Sequence, residues 1–231
     1  MLVLNCTQAA CDFFTRKVKG STVTPVQPAP SKKWQDDAFN DADGRPLLQD
    51  QWQVHCVTRK RKPVLMVMHM PTRYAMVFTG IKRADLAGFL QQFVERLLNQ
   101  MMTLGIMLGL LREDEHAGVI ARFMQSHDQF QIFARSDRSV QSHINQALFH
   151  FDLMLEEAGA LPANTQEAAG FDAQVNRTIR KIGPKEIGYF CPDEAMLAYW
   201  WERVGHLDRA SSQEAQLRFK LLKNERPEGQ P

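Results

Sequence analysis

The spacing of the apolar residues changes near Ala84, and this change constrains the fold more than any other feature. Before it come three short runs, "QWQVHCVT", "VLMVMHM" and "RYAMVFTGI", which are separated by turn residues and are typical of an antiparallel meander of strands. From Leu86 to Met101, apolar residues recur at three- and four-residue steps, which predicts an amphipathic helix. Strands followed by helices indicate an α+β fold.

The flanking segments add further elements to this plan. "LVLNC" and "QFQIFAR" predict strands, and "TQAACDFF", "EDEHAGVIARFM" and "RSVQSHINQALFHF" predict helices. "DEAMLAYWWERV" and "SSQEAQLRFKLLKN" predict two more helices, whereas the segment from Gly159 to about Pro192 reads as loop-rich. We therefore predict a mainly antiparallel sheet of about four to five strands, packed on one side by long helices.

We predict one α+β domain over residues 1–199. Residues 200–231 form a C-terminal helical extension with a charged tail in this prediction. Residues 20–46 are rich in Pro, Ser and Asp and show no periodic apolar face, so we expect a flexible insertion outside the core.

Composition narrows the classes of function. The chain has 28 basic and 26 acidic residues, a formal net charge of +2, which gives no overall attraction to nucleic acid or membrane. The longest nearly apolar run, 101–111, is shorter than the ~20 residues that a bilayer-spanning helix needs. The first residues, "MLVLNCTQ", lack the features of a signal peptide, and the four cysteines include no Cys-x-x-Cys pair. We expect a cytoplasmic protein with reduced thiols.

The turn "ARSDRSV" leads from a strand into a long helix and admits two interpretations. In the first, Ser136 or Asp137 caps the helix by accepting hydrogen bonds from its free N–H groups. In the second, Arg135 and Arg138 lie beside those N–H groups and form an anion site for phosphate or carboxylate. A thermal-shift series with anions would separate the two.

The irregular segment "VNRTIRKIGPKEIGY" is a second place where function is expected, because long irregular segments in compact domains tend to be functional or disordered. It holds several basic and polar residues: Asn176, Arg177, Thr178, Arg180, Lys181 and Lys185. We hypothesise that it closes over the helix start. The predicted ligand-binding residues are Arg135, Asp137, Arg138, Ser139, Asn145, Asn176 and Arg177.

The histidines and cysteines offer few further candidates for metal binding or catalysis. His143 and His150 are seven residues apart on one helix, roughly 10 Å, which is too far for one metal ion without further ligands. The chain contains no P-loop, dinucleotide fingerprint or nucleophile elbow, so we expect no metal and no cofactor. Cys6, at a strand-to-helix junction, is a weak alternative as the nucleophile of an enzyme with a cleft near Arg138.

Residues 59–62, "RKRK", form a basic hairpin tip. Such a tip can lie beside a phosphate backbone, but it is also the ordinary place for solvated charges. No aromatic residues interleave with it, so stacking on single-stranded nucleic acid gets no support. On this reading nucleic acid is not the expected partner.

Five segments carry a resemblance to a known family: "LVLNCTQ", "RKPVLMVMH", "GIKRADL", "RSDRSVQSHINQALFHF" and "VNRTIRKIGPKEIGYFCPDEAM". Together they resemble a bacterial family known only as a domain of unknown function, over most of residues 1–199. The resemblance implies no activity. The resulting expectation is a non-enzymatic module that binds a small anionic ligand or a protein partner.

Overall fold

The computed structural model describes residues 1–182 and 188–225, so Lys185 and the last six residues lie outside the described part. The strands in the described part are β1 (Leu2–Cys6), β2 (Arg16–Val18), β3 (Ser21–Val23), β4 (Gln27–Pro28), β5 (Asp50–Arg59), β6 (Lys62–His69), β7 (Ala75–Thr79) and β8 (Phe130–Ala134). The α-helices there are α1 (Gln8–Phe14), α2 (Leu86–Met107), α3 (His116–Ser126), α4 (Arg138–Ala158), α5 (Thr165–Val175), α6 (Pro192–Arg203) and α7 (Arg209–Glu225).

Six strands form one sheet in the order β4-β8-β1-β5-β6-β7, and β2 and β3 form a separate hairpin. β5, β6 and β7 are antiparallel neighbours, which confirms the predicted meander. β1 runs parallel to both β5 and β8, and β4 runs parallel to β8. The sheet is therefore mixed, and the prediction of a mainly antiparallel sheet of four to five strands is wrong.

The error arose at β1, which lies between β5 and β8 although it begins the chain. Leu4 pairs with Trp52 on one side and with Ile132 on the other. All five residues of β1 are buried, because helices or loops cover both faces of this part of the sheet. A strand buried on both faces has a continuous apolar run, and such a run does not reveal the direction of its neighbours.

Helices pack on both faces of the sheet, so the prediction of helices on one side is also wrong. Leu65 and Val67 of β6 face one core with α1, α2 and α6. Met66 and Met68 face a second core with α4 and α5. The alternating residues of β6 are apolar on both faces, and each face requires its own cover.

One further segment differs from the sequence prediction, and the C-terminal extension packs on the core. The stretch read as loop contains α5, whose sequence has a weak apolar period and an internal Gly170. The extension beyond residue 199 contributes Trp200, Trp201 and Phe219 to the same core as the sheet. Helix α6 therefore crosses the predicted boundary.

Residues 20–46 are mostly exposed but are attached to the fold at several points. Gln27–Pro28 pair with β8, and Trp34 and Phe39 pack against the cores. The flexibility of this segment stays a prediction. Among the described helices, none combines the length and apolar character required to cross a membrane.

Candidate functional site

The predicted helix cap is present at the start of α4. Asp137 occupies the N-cap position, and its carboxylate accepts a hydrogen bond of 3.0 Å from the Val140 amide. Gln53 also contacts this turn, since its side-chain oxygen accepts a bond of 2.8 Å from the Asp137 amide. These contacts satisfy two of the free N–H groups at this turn and confirm the capping interpretation.

Arg135, predicted to bind an anion, is buried and bound to the protein's own side chains. Its Nε donates to Asn5 Oδ1 at 2.7 Å, and its Nη1 donates to Asp37 Oδ1 at 2.8 Å. Its Nη2 pairs with the other oxygen of Asp37, and Ser31 accepts further bonds. The carboxylate of Asp37 thus occupies the place that a ligand would need at Arg135.

The other predicted residues of α4 do not all share one side of the helix: Arg138 and Asn145, seven residues apart, lie on the same side, and Ser139 lies about 100° around the axis from Arg138. Arg138 and Asn145 are exposed, and Asn145 accepts a bond from Gln141, one turn earlier. Ser139 is also exposed, but its hydroxyl accepts a bond of 3.2 Å from Nη2 of Arg73. Of this group, Ser139 alone contacts a second cationic side chain in the described structure.

Asn176 has a structural role at the edge of the sheet. It is completely buried, accepts a bond from the Ala75 amide and donates one to the Ala75 carbonyl, each at 2.7 Å. Asp172 accepts a bond from the Val77 amide, and Arg96 donates to the Val77 carbonyl and pairs with Asp172. Side chains thereby satisfy the free edge of β7, which would otherwise be open to pairing. Arg177, the neighbour of Asn176, is exposed.

Arg73 and Arg180 are the functional candidates that the predicted set lacked. Their relative exposures are 5% and 2%. Nε and Nη1 of Arg73, and Nε and Nη2 of Arg180, are buried and have no hydrogen-bond partner among the described residues. Neither guanidinium lies within 4.0 Å of a carboxylate in that part of the chain. Buried cations are normally paired, so two such groups together indicate a site for an anion.

One face of α4 holds the two guanidiniums. Ser139 contacts Arg73, whereas the His143 carbonyl and the Gln146 side chain each lie 3.4 Å from Nη1 of Arg180. Ser139, His143 and Gln146 follow one another at four- and three-residue steps. The two attachment points on the helix are therefore separated by about one turn, roughly 6 Å.

The two guanidiniums place positive charge at this face of α4. Burial lowers the pKa of Arg73 to about 10, and Asp137 partly offsets this effect. Burial and the neighbouring Arg73 lower the pKa of Arg180 to about 10 as well, so both groups are charged at neutral pH. Burial, Arg73 and Arg180 also lower the pKa of His143. An anion placed here would reduce this repulsion.

Sequence reasoning had few signals for these two residues. Arg73 belongs to the β6–β7 turn, where a basic residue is ordinarily solvated, and it has a positive φ of 60°. Arg180 belongs to the irregular segment, but nothing in the sequence distinguished it from the exposed Arg177. Burial of a charged side chain is a property of the tertiary structure.

A family model described as a domain of unknown function, DUF6933, matches residues 3–195. The chain belongs to this family. No curated protein matches the chain. The match includes Arg73, the start of α4 and Arg180, so the candidate site lies within the DUF6933 domain.

A second polar cluster of the DUF6933 domain resembles a catalytic triad. Ser126 Oγ lies 2.8 Å from His127 Nδ1, and His127 Nε2 lies 3.2 Å from Asp50 Oδ2. Ser126, however, also donates its hydroxyl to the Phe123 carbonyl within the same helix. The adjacent cavity measures about 60 Å³, space for about two water molecules. These bonds hold the end of α3 against β5, beside a small cavity.

Asp50 also organises His69 on the other side of the same cluster. His69 Nε2 lies 3.0 Å from Asp50 Oδ1, and its Nδ1 lies 2.7 Å from the Thr72 hydroxyl. Burial alone would raise the pKa of Asp50, but bonds with His127 and His69 hold that pKa well below its usual range. Burial lowers the pKa of His69, and Asp50 offsets part of this shift.

Two other groups of residues are weaker candidates for catalysis or metal binding. Cys6 is buried, and burial raises the pKa of its thiol far above the usual value, so it supplies little thiolate for nucleophilic attack. Cys191, Asp193 and Glu194 lie close enough to share a cation. The ammonium of Lys223 already bridges the two carboxylates, at 2.9 Å from Asp193 and 2.7 Å from Glu194.

Proposed function

We propose that this DUF6933 protein is a non-enzymatic binding module that holds a small anion between Arg73 and Arg180, against the first turns of α4. The observation that carries this proposal is the pair of buried guanidiniums whose donors lack hydrogen-bond partners among residues 1–182 and 188–225. The sequence prediction placed an anion site at the same helix start but assigned it to Arg135 and Arg138. The proposal keeps the location and changes the residues.

A buried charge without a partner lowers the stability of the folded protein. Removing an ion from water costs several kcal/mol even after the protein relaxes, and an opposite charge nearby offsets much of this cost. Asp137 is near enough to influence Arg73, but it forms no ion pair with it and already caps α4. A bound anion would supply a negative charge and accept hydrogen bonds from the N–H groups that have no partner in the described part of the chain.

The arrangement of donors favours a compact oxyanion. No described residue accepts a hydrogen bond from Nε or Nη2 of Arg180, the two donors on one edge of the guanidinium that bind carboxylate or phosphate as a fork. Arg73 offers Nε and Nη1 from about one helical turn away. Phosphate and carboxylate are the compact oxyanions that such donors bind. Both ligand classes share this chemistry, and the experiment separates them.

Thermal unfolding in the presence of phosphate, sulfate, acetate or chloride, at matched ionic strength, tests the proposal. An anion that binds the folded state raises its stability by RT ln(1 + [L]/Kd), about 2.7 kcal/mol at a hundredfold excess over Kd. A larger shift with phosphate and sulfate than with acetate indicates a tetrahedral ligand, and the reverse order indicates a carboxylate.

The variants Arg73→Met and Arg180→Met should lose the anion-specific shift, because each removes one guanidinium while keeping an apolar side chain of similar length. Arg138→Met is the matched control, since Arg138 is exposed at the same helix start and should leave the shift intact. If a methionine variant does not fold, Arg180→Lys tests the same point, because lysine keeps the charge but loses the fork. Equal shifts in wild type and all variants would contradict the proposal, as would the absence of any anion-specific shift in the wild type.

A further inference from the structure

Basic residues occupy a strained turn at the tip of the β5–β6 hairpin. Lys60 and Arg61 form the two-residue connection with φ values of 47° and 63°. Such a turn favours Asn-Gly or Gly-Gly, because both positions require the left-handed region. Lys60, Arg61 and Lys62 are all exposed, and none forms an ion pair with a described residue. Strained backbone is often found at functional sites. Basic residues kept at strained positions of an exposed turn therefore indicate a function for their charge.

The β2–β3 hairpin repeats this pattern. Lys19 and Gly20 connect its strands with φ values of 49° and 85°, and Arg16, Lys17 and Lys19 are exposed. Every residue of both strands is exposed, so the hairpin contributes little to the core. Its basic side chains also lack ion-pair partners in the described part of the chain.

A third basic group, Lys82 and Arg83, lies between these hairpins, in the turn from β7 to α2. Arg83 donates a bond of 2.7 Å to the carbonyl of Asp12, which brings the turn beside the β2–β3 hairpin. A cleft of about 860 Å³ between them is lined by Arg16, Lys17, Lys82 and Arg83. A second cleft of about 840 Å³, lined by Lys60 and Lys62, borders the same turn at Thr79 and Gly80.

These three groups, which we call the basic end, lie together at one end of the molecule. They comprise eight exposed basic side chains, with Asp12 and Asp85 as acidic residues in the first cleft. The whole chain has a formal net charge of only +2, so the remainder of the molecule is net acidic. The charge is therefore polarised, which the overall composition conceals.

We propose that the basic end binds the phosphate backbone of double-stranded nucleic acid without reading its sequence. Two projecting basic hairpins on either side of a basic turn offer phosphate contacts at several separated points, as an extended polyanion requires. No aromatic side chain lines the two clefts, so there is no platform for the stacked bases of a single strand. This surface is distinct from the anion site at Arg73 and Arg180.

In the sequence alone, the 59–62 hairpin stands by itself, and nucleic acid was not the expected partner of that hairpin. The structure adds a second hairpin and the turn between them to the same end. Backbone binding of this kind remains sequence-independent and sensitive to salt. Log affinity should fall with log salt concentration with a slope of about −0.9 for each phosphate contact.

The test uses a fluorescein-labelled 20-base-pair duplex of random sequence, the matching single strand, and vesicles that contain anionic lipid. The full chain should bind the duplex at 50 mM salt and lose affinity by tenfold or more at 200 mM salt. The triple variant Lys19→Asn, Lys60→Asn, Arg61→Gly places Asn-Gly at both hairpin tips. It should bind the duplex at least tenfold more weakly, and its unfolding temperature should stay equal or rise because the turn strain is relieved.

A control variant removes the same number of charges elsewhere: Arg112→Gln, Arg209→Gln, Lys220→Gln. These side chains are exposed and lie outside the basic end, so this variant should stay within about threefold of wild type. Equal losses in the two triple variants would overturn the proposal, because net charge alone would then account for binding. Failure to bind the duplex at 50 mM salt, or preference for the single strand or for vesicles, would also overturn it. Arg180→Met should leave duplex binding unchanged, which keeps this result separate from that of the anion site.

Discussion

Replacement of Asp172 by Ala should be one of the most damaging single changes in the protein. Asp172 is completely buried in α5 and joins three groups through its carboxylate. It accepts a bond of 2.8 Å from the Val77 amide at the edge of β7 and one of 3.0 Å from Gln100, and it pairs with Arg96. The variant removes all three contacts and leaves Arg96 in place.

The expected magnitude follows from what remains unpaired. Breaking a buried ion pair by removing one partner costs about 3–5 kcal/mol, because the other charge stays buried. The Val77 amide, left without its acceptor, adds about 1–3 kcal/mol. These two contributions share one carboxylate and do not add fully. We therefore expect the free energy of unfolding to fall by roughly 4–6 kcal/mol. Total stabilities of domains are about 5–15 kcal/mol, so the variant should be close to unfolding.

Urea unfolding of matched variants measures this loss. Asp152→Ala is the control, because Asp152 also pairs with an arginine, Arg59, but the two side chains are 39% and 31% exposed. That variant should cost less than about 1 kcal/mol. Hydrogen exchange adds a local measurement: in Asp172→Ala the Val77 amide should lose protection at the edge of β7.

A second substitution separates charge from packing. Adding Arg96→Met to Asp172→Ala removes the uncompensated charge, so the double variant should be more stable than Asp172→Ala alone. Two results would refute this reasoning: a cost for Asp172→Ala no greater than that for Asp152→Ala, or a double variant that is less stable than Asp172→Ala.

Three further predictions concern the helix cap, pH and the N-terminal segment. Asp137→Ala should cost about 0.5–2 kcal/mol and Arg138→Ala less than about 1 kcal/mol, as measured by urea unfolding; similar costs would argue against the cap. The folded protein lowers the pKa of His69 and so favours the neutral imidazole. The contribution of this pKa shift to stability is complete above the unfolded pKa of about 6.5 and is lost as the pH falls below that value. His69→Gln should therefore make the loss of stability between pH 7 and 5 shallower, whereas Asp50, with its lowered pKa, acts only below about pH 4. Limited proteolysis should cut first within residues 20–46, and protection of that stretch would contradict its predicted flexibility.

Sequence patterns could not predict which residue, if any, pairs with a given charged side chain. Arg135, Arg138, Arg177 and Arg180 all occur in polar stretches of similar composition. The structure buries Arg135 against Asp37, leaves Arg138 and Arg177 exposed, and buries Arg180 without a carboxylate partner among the described residues. Those differences depend on contacts between segments that are far apart in the chain.

The sequence by itself determined the elements whose apolar residues repeat at a regular interval. The meander, the long helices α2 and α4 and the cap at Asp137 each depend on neighbours within a few positions, because strand alternation, helical period and capping are local effects. Only the tertiary structure decided that β1 enters the sheet parallel to β5, that helices cover both faces, and that Arg73 and Arg180 meet at α4. Strand direction and the burial of a charge depend on which distant segments pack together, and a local pattern carries no record of that choice.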